Sequence, residues 1–314
     1  MRALPRALPR LLAATVLSVA LVGCGEDASE QPSGSGSDSP SASDPATTDA
    51  SEDASATAEY PRYVAIGDSY TSAPLVPETD PQDGCLRSSG NYPSLVAAAL
   101  EGTQLEDVSC AGADTTSLIG VQRTFDGLSR PPQLQAVTED TSLVTVSIGG
   151  NDFGLFSTLV GGCAQIASTD PDGSPCTDVA SEDGPEVLAK IEERISSVVQ
   201  GVRGRAPDAR ILVVGYPQIV PQGDRACPQL PIADGDLAFA RTMNRGLAEA
   251  LEEGARKGGA EYVDAYALTE GHDVCSEDPW IAGKDTVEGQ ALAFHPFAAH
   301  QEAVAQEILR LLEG

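Results

Sequence analysis

The sequence predicts an α/β protein in which helices cover both faces of a doubly wound, mostly parallel sheet. Short apolar runs that end at glycine alternate along the chain with longer segments of helical periodicity. Continuous apolar runs of this kind are typical of strands buried on both faces of a parallel sheet. Their alternation with helices predicts right-handed crossovers between parallel strands. Residues 60–314 are enough for one such domain and few for two.

Five strands are expected in this domain. The strongest runs, residues 63–66, 143–148 and 211–214, stop at Gly67, Gly149 and Gly215. Weaker candidates are residues 104–109 and 261–265.

Helices are predicted between these strands. The clearest has apolar residues at spacings of three and four, which lie on one helical face: Leu188, Ile191, Ile195, Val198, Val199 and Val202. Further helical patterns cover residues 92–100, 237–255 and 298–312. Two insertions, about 72–91 and 161–184, interrupt the alternation, and we expect both to be loop-like.

Residues 1–24 have the pattern of a secretory signal. Arg2, Arg6 and Arg10 precede an apolar run at 11–22, which is shorter than the roughly 20 residues needed to cross a bilayer. The run ends at Gly23-Cys24, which resembles the bacterial lipobox, whose Cys is lipidated. The alternative is an ordinary secretory signal with a chance Cys. A lipid on Cys24 would anchor the protein to a membrane without crossing it.

Residues 25–59 are predicted to be a disordered tether. They are rich in Ser, Asp and Ala, and they contain nine acidic residues and no basic one. Such a segment cannot bury enough apolar surface to offset the entropy of ordering. We therefore expect the folded domain to begin at residue 60.

The net charge of −28 argues against a nucleic-acid partner, because phosphates require a basic surface. Residues 60–314 hold 16 basic residues against 38 acidic ones, a net charge of −22. This charge also offers no polybasic patch for anionic lipid.

Six Cys remain after Cys24, and an even number in an exported chain indicates three disulfides. They are Cys85, Cys110, Cys163, Cys176, Cys227 and Cys275. The count alone leaves every pairing open. A zinc site is the alternative, but the chain has no CxxC motif and only three His, so we expect no metal.

Three predicted strand ends carry residues suited to acyl transfer. The first strand ends at Gly67-Asp68-Ser69-Tyr70, the second is followed by Gly112, and the third by Asn151. The carboxyl ends of parallel strands share one edge of the sheet, where ligands bind. The N–H groups of Ser69 and Gly112 and the Asn151 amide can together bind an oxyanion. Each motif alone is also an ordinary turn or cap sequence, so the argument depends on their combination.

A Ser nucleophile requires a base, which is normally His. His300 falls in the last predicted helix, where a surface position is expected, and His272 lies near Cys275, where a structural role is the alternative. His295 precedes Pro296, which keeps it in an extended loop just before that helix. His295 is therefore the predicted base.

In this order, Gly67-Asp68-Ser69-Tyr70, Gly112, Gly150-Asn151-Asp152 and His295-Pro296 resemble the four sequence blocks of the SGNH (GDSL-type) hydrolases. The resemblance covers about residues 61–310 and is strongest to the secreted actinobacterial lipase and esterase branch. It implies a flavodoxin-like three-layer α/β/α sandwich with a mostly parallel five-stranded sheet, and neither a metal nor a cofactor. It also implies disulfides between neighbouring Cys, which are Cys85–Cys110, Cys163–Cys176 and Cys227–Cys275.

The resemblance implies that Ser69 is the nucleophile and His295 the general base. The N–H groups of Ser69 and Gly112 and the side chain of Asn151 would form the oxyanion hole.

Two positions depart from the family pattern. Leu292 occupies the place where many members have the Asp that orients the His, so we expect a backbone carbonyl at Leu292 to orient His295, with Asp273 as the less favoured alternative. Phe297 replaces the usual Asn after His-Pro. This ring would either line an acyl pocket or pack beneath the loop.

The predicted function is that of a serine esterase or lipase that hydrolyses carboxylic esters through an acyl-enzyme. One alternative is a glycan O-deacetylase of the same fold, and another is a surface-binding lipoprotein without catalysis. The expected partners are an ester substrate, either lipid or acylated glycan, and a membrane reached through Cys24. We expect an extracytoplasmic monomer that is either lipid-anchored or secreted.

Overall fold

The computed structural model describes residues 58–314. The predicted signal, Cys24 and nearly all of the predicted tether lie outside these residues. Among the described residues, no helix is both long enough and apolar enough to cross a membrane.

The strands form one large sheet and one small hairpin. In chain order they are β1 (Arg62–Gly67), β2 (Gln104–Asp107), β3 (Gln122–Arg123), β4 (Ser129–Arg130), β5 (Leu143–Ser147), β6 (Arg210–Val214) and β7 (Glu261–Val263). The large sheet has the order β2-β1-β5-β6-β7, and all of its neighbours are parallel. This confirms the five predicted strands. The antiparallel β3–β4 hairpin was not predicted.

The helices are α1 (Ser69–Ser72), α2 (Tyr92–Ala99), α3 (Cys163–Ile166), α4 (Pro175–Ala180), α5 (Gly184–Arg203), α6 (Leu237–Gly258), α7 (Ala265–Leu268) and α8 (Ala298–Glu313). The four long ones agree with the predicted helical patterns. Their ends follow local chemistry. Asn91 caps α2 by accepting a hydrogen bond from the Ser94 N–H, and α6 ends at Gly259 with a φ of 82°.

Alternate residues of each central strand enter different hydrophobic cores. Val64 and Ile66 of β1 pack with the buried faces of α5 and α6, whereas Tyr63 and Ala65 pack with α2 and α8. Side chains alternate between the two faces of a strand, so the sheet is covered on both sides. The result is the expected three-layer α/β/α sandwich.

The strand order fixes where a ligand can enter. The chain leaves β1 for β2 on one side and then returns to β5 on the other side of β1. Gly67 at the end of β1 pairs with Ser147 at the end of β5. This reversal is a topological switch point, where a crevice opens beyond the carboxyl ends of the two strands.

The insertion at 161–184 is helical, which corrects the prediction of a loop. It contains α3 and α4, preceded by a π-helical segment at Ser157–Gly162. The first N–H groups of α4, from Cys176 and Thr177, donate to the buried carboxylate of Asp236. A cap that comes from 60 residues away in sequence leaves no local signal, so the pattern of residues 161–184 could not reveal it.

Three disulfides join neighbouring Cys along the chain: Cys85–Cys110, Cys163–Cys176 and Cys227–Cys275. This is the pairing that the family resemblance implied. Such bonds form and persist in oxidising compartments outside the cytoplasm.

Candidate active site

The turn after β1 presents Ser69 at the switch point. Asp68 caps α1 by accepting a hydrogen bond from the Tyr70 N–H at 2.9 Å, and its own N–H donates to the Ser147 carbonyl at 3.1 Å. Gly67 permits this close approach, because a Cβ there would lie 2.9 Å from that same carbonyl oxygen. Ser69 is buried, with 8% of its surface exposed.

The turn after β2 brings Gly112 to the same edge. The Cys110 N–H donates to the Gly67 carbonyl at 3.0 Å, so this turn lies against the end of β1. Gly112 has a φ of 76°, a conformation that favours glycine. Among the described residues, neither the Ser69 N–H nor the Gly112 N–H donates to a protein acceptor. Both groups therefore remain available to an oxyanion.

The turn after β5 supplies Asn151. One amide hydrogen of its Nδ2 donates to the Ala113 carbonyl at 2.8 Å, which fixes the amide next to the Gly112 turn. The same Nδ2 lies 3.4 Å from Asp68 Oδ2. These contacts link all three turns, so the structure brings Ser69, Gly112 and Asn151 to one edge of the sheet.

A fourth strand end contributes Tyr216, which the sequence analysis missed. Its buried hydroxyl donates to Asp68 Oδ2 at 2.7 Å and accepts the Gly150 N–H at 2.9 Å. Burial raises the pKa of Asp68 to about 7, although the bonds from Tyr216 and Tyr70 favour the carboxylate. Tyr216 follows Gly215 directly after β6, so the strand-end argument applied to β6 would have found it.

Asp152 is a second residue of the site to which the sequence analysis assigned no role. Its buried carboxylate accepts hydrogen bonds from the Thr115 N–H and hydroxyl, and it pairs with Arg194 of α5. The guanidinium of Arg194 also lies 4.2 Å from the centre of the Phe153 ring. Asp152 thus joins the second and third turns.

His295 lies beside the Ser69 turn. Its ring centre is 5.2 Å from that of Tyr70, and the Tyr70 hydroxyl donates to the Phe294 carbonyl at 2.6 Å. The His295 carbonyl also accepts the Ala282 N–H, which holds the loop in place. Within the described residues no hydrogen bond joins the Ser69 hydroxyl to the His295 ring, and hydrogen bonds between catalytic groups are often long without substrate.

The carbonyl that contacts the His295 ring belongs to Ala293, at 2.7 Å from Nδ1. The expectation for Leu292 is wrong because its carbonyl instead accepts the backbone N–H of His295. Asp273 is also wrong, because its carboxylate accepts the N–H of Cys275 in its own turn. Burial lowers the pKa of His295, while the Ala293 carbonyl acts in the opposite direction.

The other two His lie outside the Ser69 site. His272 stacks on Trp280 with ring centres 4.0 Å apart, and its Nδ1 contacts the Asp278 carbonyl. His300 is 3% exposed, which corrects the expected surface position, and burial lowers its pKa to about 4. It shares the buried face of α8 with Val304 and Ile308 at spacings of four, a signal that was present in the sequence.

Phe297 starts α8 and donates its N–H to the Trp280 carbonyl at 2.8 Å. Its side chain is half-buried.

In residues 58–314, no group of three or more His, Cys, Asp or Glu is arranged to hold a metal ion.

Replacing Asn151 with alanine is expected to lower kcat by about 10²–10³-fold with little change in KM, as for the loss of one oxyanion donor. Steady-state hydrolysis of p-nitrophenyl butyrate measures this effect. Thermal unfolding of the variant controls for the lost bond to Ala113. A loss of kcat below about fivefold would remove Asn151 from the oxyanion hole.

The GDSL-like Lipase/Acylhydrolase family matches residues 65–303 of the chain. Lipase 2 of Streptomyces coelicolor (strain ATCC BAA-471 / A3(2) / M145) is 36% identical over 259 residues, which cover 80% of this chain and 85% of that relative. Among solved structures, phospholipase A1 from Streptomyces albidoflavus NA297 is similar with a TM-score of 0.66 at 28% identity, covering 80% of this chain and 99% of that one.

The extracellular lipase from Streptomyces rimosus gives the same TM-score of 0.66 at 25% identity, with 80% of this chain and 98% of that chain covered. The family match spans more than half of the chain and agrees with the order of the strand-end motifs. The chain therefore belongs to the GDSL-like lipase/acylhydrolase family and is a carboxylic ester hydrolase.

Proposed function

We propose that Ser69 and His295 carry out this hydrolysis and that the substrates are esters of lipid acyl chains. The Ser69 hydroxyl adds to the ester carbonyl while His295 accepts its proton. The tetrahedral oxyanion accepts hydrogen bonds from Ser69, Gly112 and Asn151. His295 then donates its proton to the leaving alcohol, and the acyl group remains on Ser69.

Water completes the cycle. His295 removes a proton from a water molecule, the hydroxide adds to the acyl carbonyl, and the Ser69 oxygen leaves with the proton that His295 returns. The Ala293 carbonyl holds the ring through Nδ1 so that the other nitrogen faces the reaction. A neutral carbonyl stabilises the imidazolium less than a carboxylate would, so no third side chain is required.

The observation that carries this proposal is the pair of unoccupied N–H groups at Ser69 and Gly112, next to an Asn151 amide whose position Ala113 fixes. Ser69 is buried, so its N–H without an acceptor is costly unless a ligand satisfies it, whereas Gly112 is exposed and its N–H is open to solvent or substrate. For the third donor, the Asn151 amide hydrogen that now donates to Asp68 Oδ2 at 3.4 Å would turn to the oxyanion that develops during attack.

An apolar cavity of about 320 Å³ favours acyl chains over acetyl groups. It begins at Phe153, two residues after Asn151, and continues between α4, α5 and α6. Its apolar lining includes Leu155, Leu159, Val187, Phe239 and Met243. The proposal places the acyl chain here, because Phe153 of the lining is two residues from Asn151 in sequence.

We expect kcat/KM for p-nitrophenyl esters to rise from the acetate to chains of about eight carbons, because each buried CH₂ contributes about 0.8 kcal/mol. Initial rates at matched substrate concentrations measure the profile. Activity that is highest on acetate and falls steeply with length would contradict the lipid substrate and favour deacetylation.

The leader pattern supports anchoring at Cys24, through the short apolar run and the Gly23-Cys24 sequence. The protein is proposed to act as an extracytoplasmic monomer, because a domain charge of −22 opposes self-association. Full-length protein expressed in an actinobacterial host is expected to enter the detergent phase of Triton X-114, whereas a Cys24→Ala variant enters the aqueous phase. An aqueous wild-type protein would contradict the anchor.

A further inference from the structure

Most of the large exposed apolar side chains in the described residues lie on one short segment of the chain. Six large apolar residues are notably exposed among the described residues, and four of them lie within positions 119–128. These four define the hairpin patch: Ile119 (79% exposed), Val121 (66%), Phe125 (82%) and Leu128 (38%). A cluster of this kind on one short segment marks an interaction surface rather than scattered surface hydrophobics.

The hairpin patch is continuous with the reaction site. The β3–β4 hairpin carries Phe125 in its connecting turn, and the tip of this ring lies 3.0 Å from where a Cβ on Gly112 would be. Phe125 therefore contacts the backbone of an oxyanion donor while most of its surface faces solvent. An occupant that covers Phe125 would therefore lie next to one of the proposed oxyanion donors.

The charge of this region indicates the chemistry of the occupant. Residues 111–134 contain two acidic and two basic residues, Asp114, Asp126, Arg123 and Arg130, and so have no net charge. The rest of the domain carries all of its −22. An anionic surface would repel the domain, whereas a neutral or zwitterionic one would accept this face.

We propose that the hairpin patch is an interfacial docking surface that places the active site on aggregated neutral or zwitterionic lipid. Apolar side chains enter the boundary between headgroups and acyl chains, and Phe125 brings Gly112 to the ester bonds at that depth. This inference rests on the proposed hydrolysis of lipid esters at Ser69. It adds the physical form of the substrate, which is a lipid surface rather than a dissolved ester.

The test compares Ile119→Ser/Val121→Ser with the control Ala98→Ser/Ala99→Ser, which changes two exposed apolar residues of α2 outside both the patch and the proposed acyl cavity. All variants are made in the full-length chain carrying Cys24→Ala, so that no lipid anchor contributes. Phe125 is left intact because it contacts Gly112. For binding, Ser69→Ala is added to prevent hydrolysis, and the protein is sedimented with phosphatidylcholine vesicles or with phosphatidylglycerol vesicles.

We expect the patch variant to bind phosphatidylcholine vesicles about tenfold more weakly, since two apolar side chains no longer enter the lipid. The control should bind within about twofold of the parent. With Ser69 restored, the patch variant should lose a similar factor on emulsified long-chain esters and keep its rate on dissolved p-nitrophenyl butyrate.

Equal losses on dissolved and emulsified esters would overturn the proposal and assign the patch to the acyl site or to folding. Failure of the parent to bind phosphatidylcholine, or preferential binding to phosphatidylglycerol, would also overturn it. Vesicle binding is measured without catalysis. A parent protein that binds lipid but hydrolyses no ester would therefore contradict the proposed function and leave the docking surface supported.

Discussion

Replacing Ser69 with alanine is expected to lower kcat/KM for p-nitrophenyl butyrate by about 10⁴-fold or more, the largest effect of any single substitution in this chain. Without the hydroxyl no acyl-enzyme forms, and the remaining donors can assist only direct attack by water. The N–H of residue 69 persists in the variant, so substrate binding should change little. Initial rates at several substrate concentrations separate the two effects.

Ser72 offers a matched control in the same short helix. It is also buried, and its hydroxyl has no hydrogen-bond partner within the described residues. Ser72→Ala removes one oxygen from α1 without touching the proposed chemistry, so its kcat/KM should stay within about twofold of the parent. Substantial activity in Ser69→Ala would remove Ser69 as the nucleophile, whatever the control shows.

Replacing His295 with alanine is expected to cause the second largest loss, also about 10⁴-fold in kcat/KM, because His272 and His300 lie away from the Ser69 turn and cannot replace it as base. His272→Ala is the matched control, since that ring stacks on Trp280 and contacts the Asp278 carbonyl. Its kcat/KM should remain within about twofold of the parent. Equal losses in both variants would leave His295 without support as the base.

The pH profile gives His295 a second test. The ring must be neutral to accept a proton, and burial lowers its pKa below the ordinary value of 6.5. The ring therefore stays neutral further into the acidic range. The acidic limb of kcat/KM against pH should have its midpoint below 6.5, and a midpoint above 6.5 would contradict this assignment.

The fold was predictable because its main signals are local. The runs that became β1, β5 and β6 are buried on both faces, and each one ends at a turn with glycine. Once the strands are parallel, their carboxyl ends must share an edge. Ser69, Gly112 and Asn151 therefore could be grouped before any coordinates were known.

The parts that could not be predicted depend on contacts distant in sequence. The N-terminus of α4 uses the carboxylate of Asp236, and the Tyr216 hydroxyl links Asp68 to Gly150. The choice of Ala293 over Leu292 depends on how the chain turns at Phe294, where φ is 59°. A non-glycine residue in that conformation is uncommon, and the neighbouring sequence carries no signal that predicts it.

The central claim is that Ser69, activated by His295, forms a covalent bond to the acyl carbon. The most direct measurement incubates the full-length protein with a p-nitrophenyl alkylphosphonate, which traps an activated hydroxyl as a stable adduct, and maps the adduct by peptide mass spectrometry. We expect one phosphonate on the peptide that contains Ser69, no adduct in Ser69→Ala, and much slower labelling in His295→Ala. An adduct on another residue, or labelling at the wild-type rate without His295, would contradict the account.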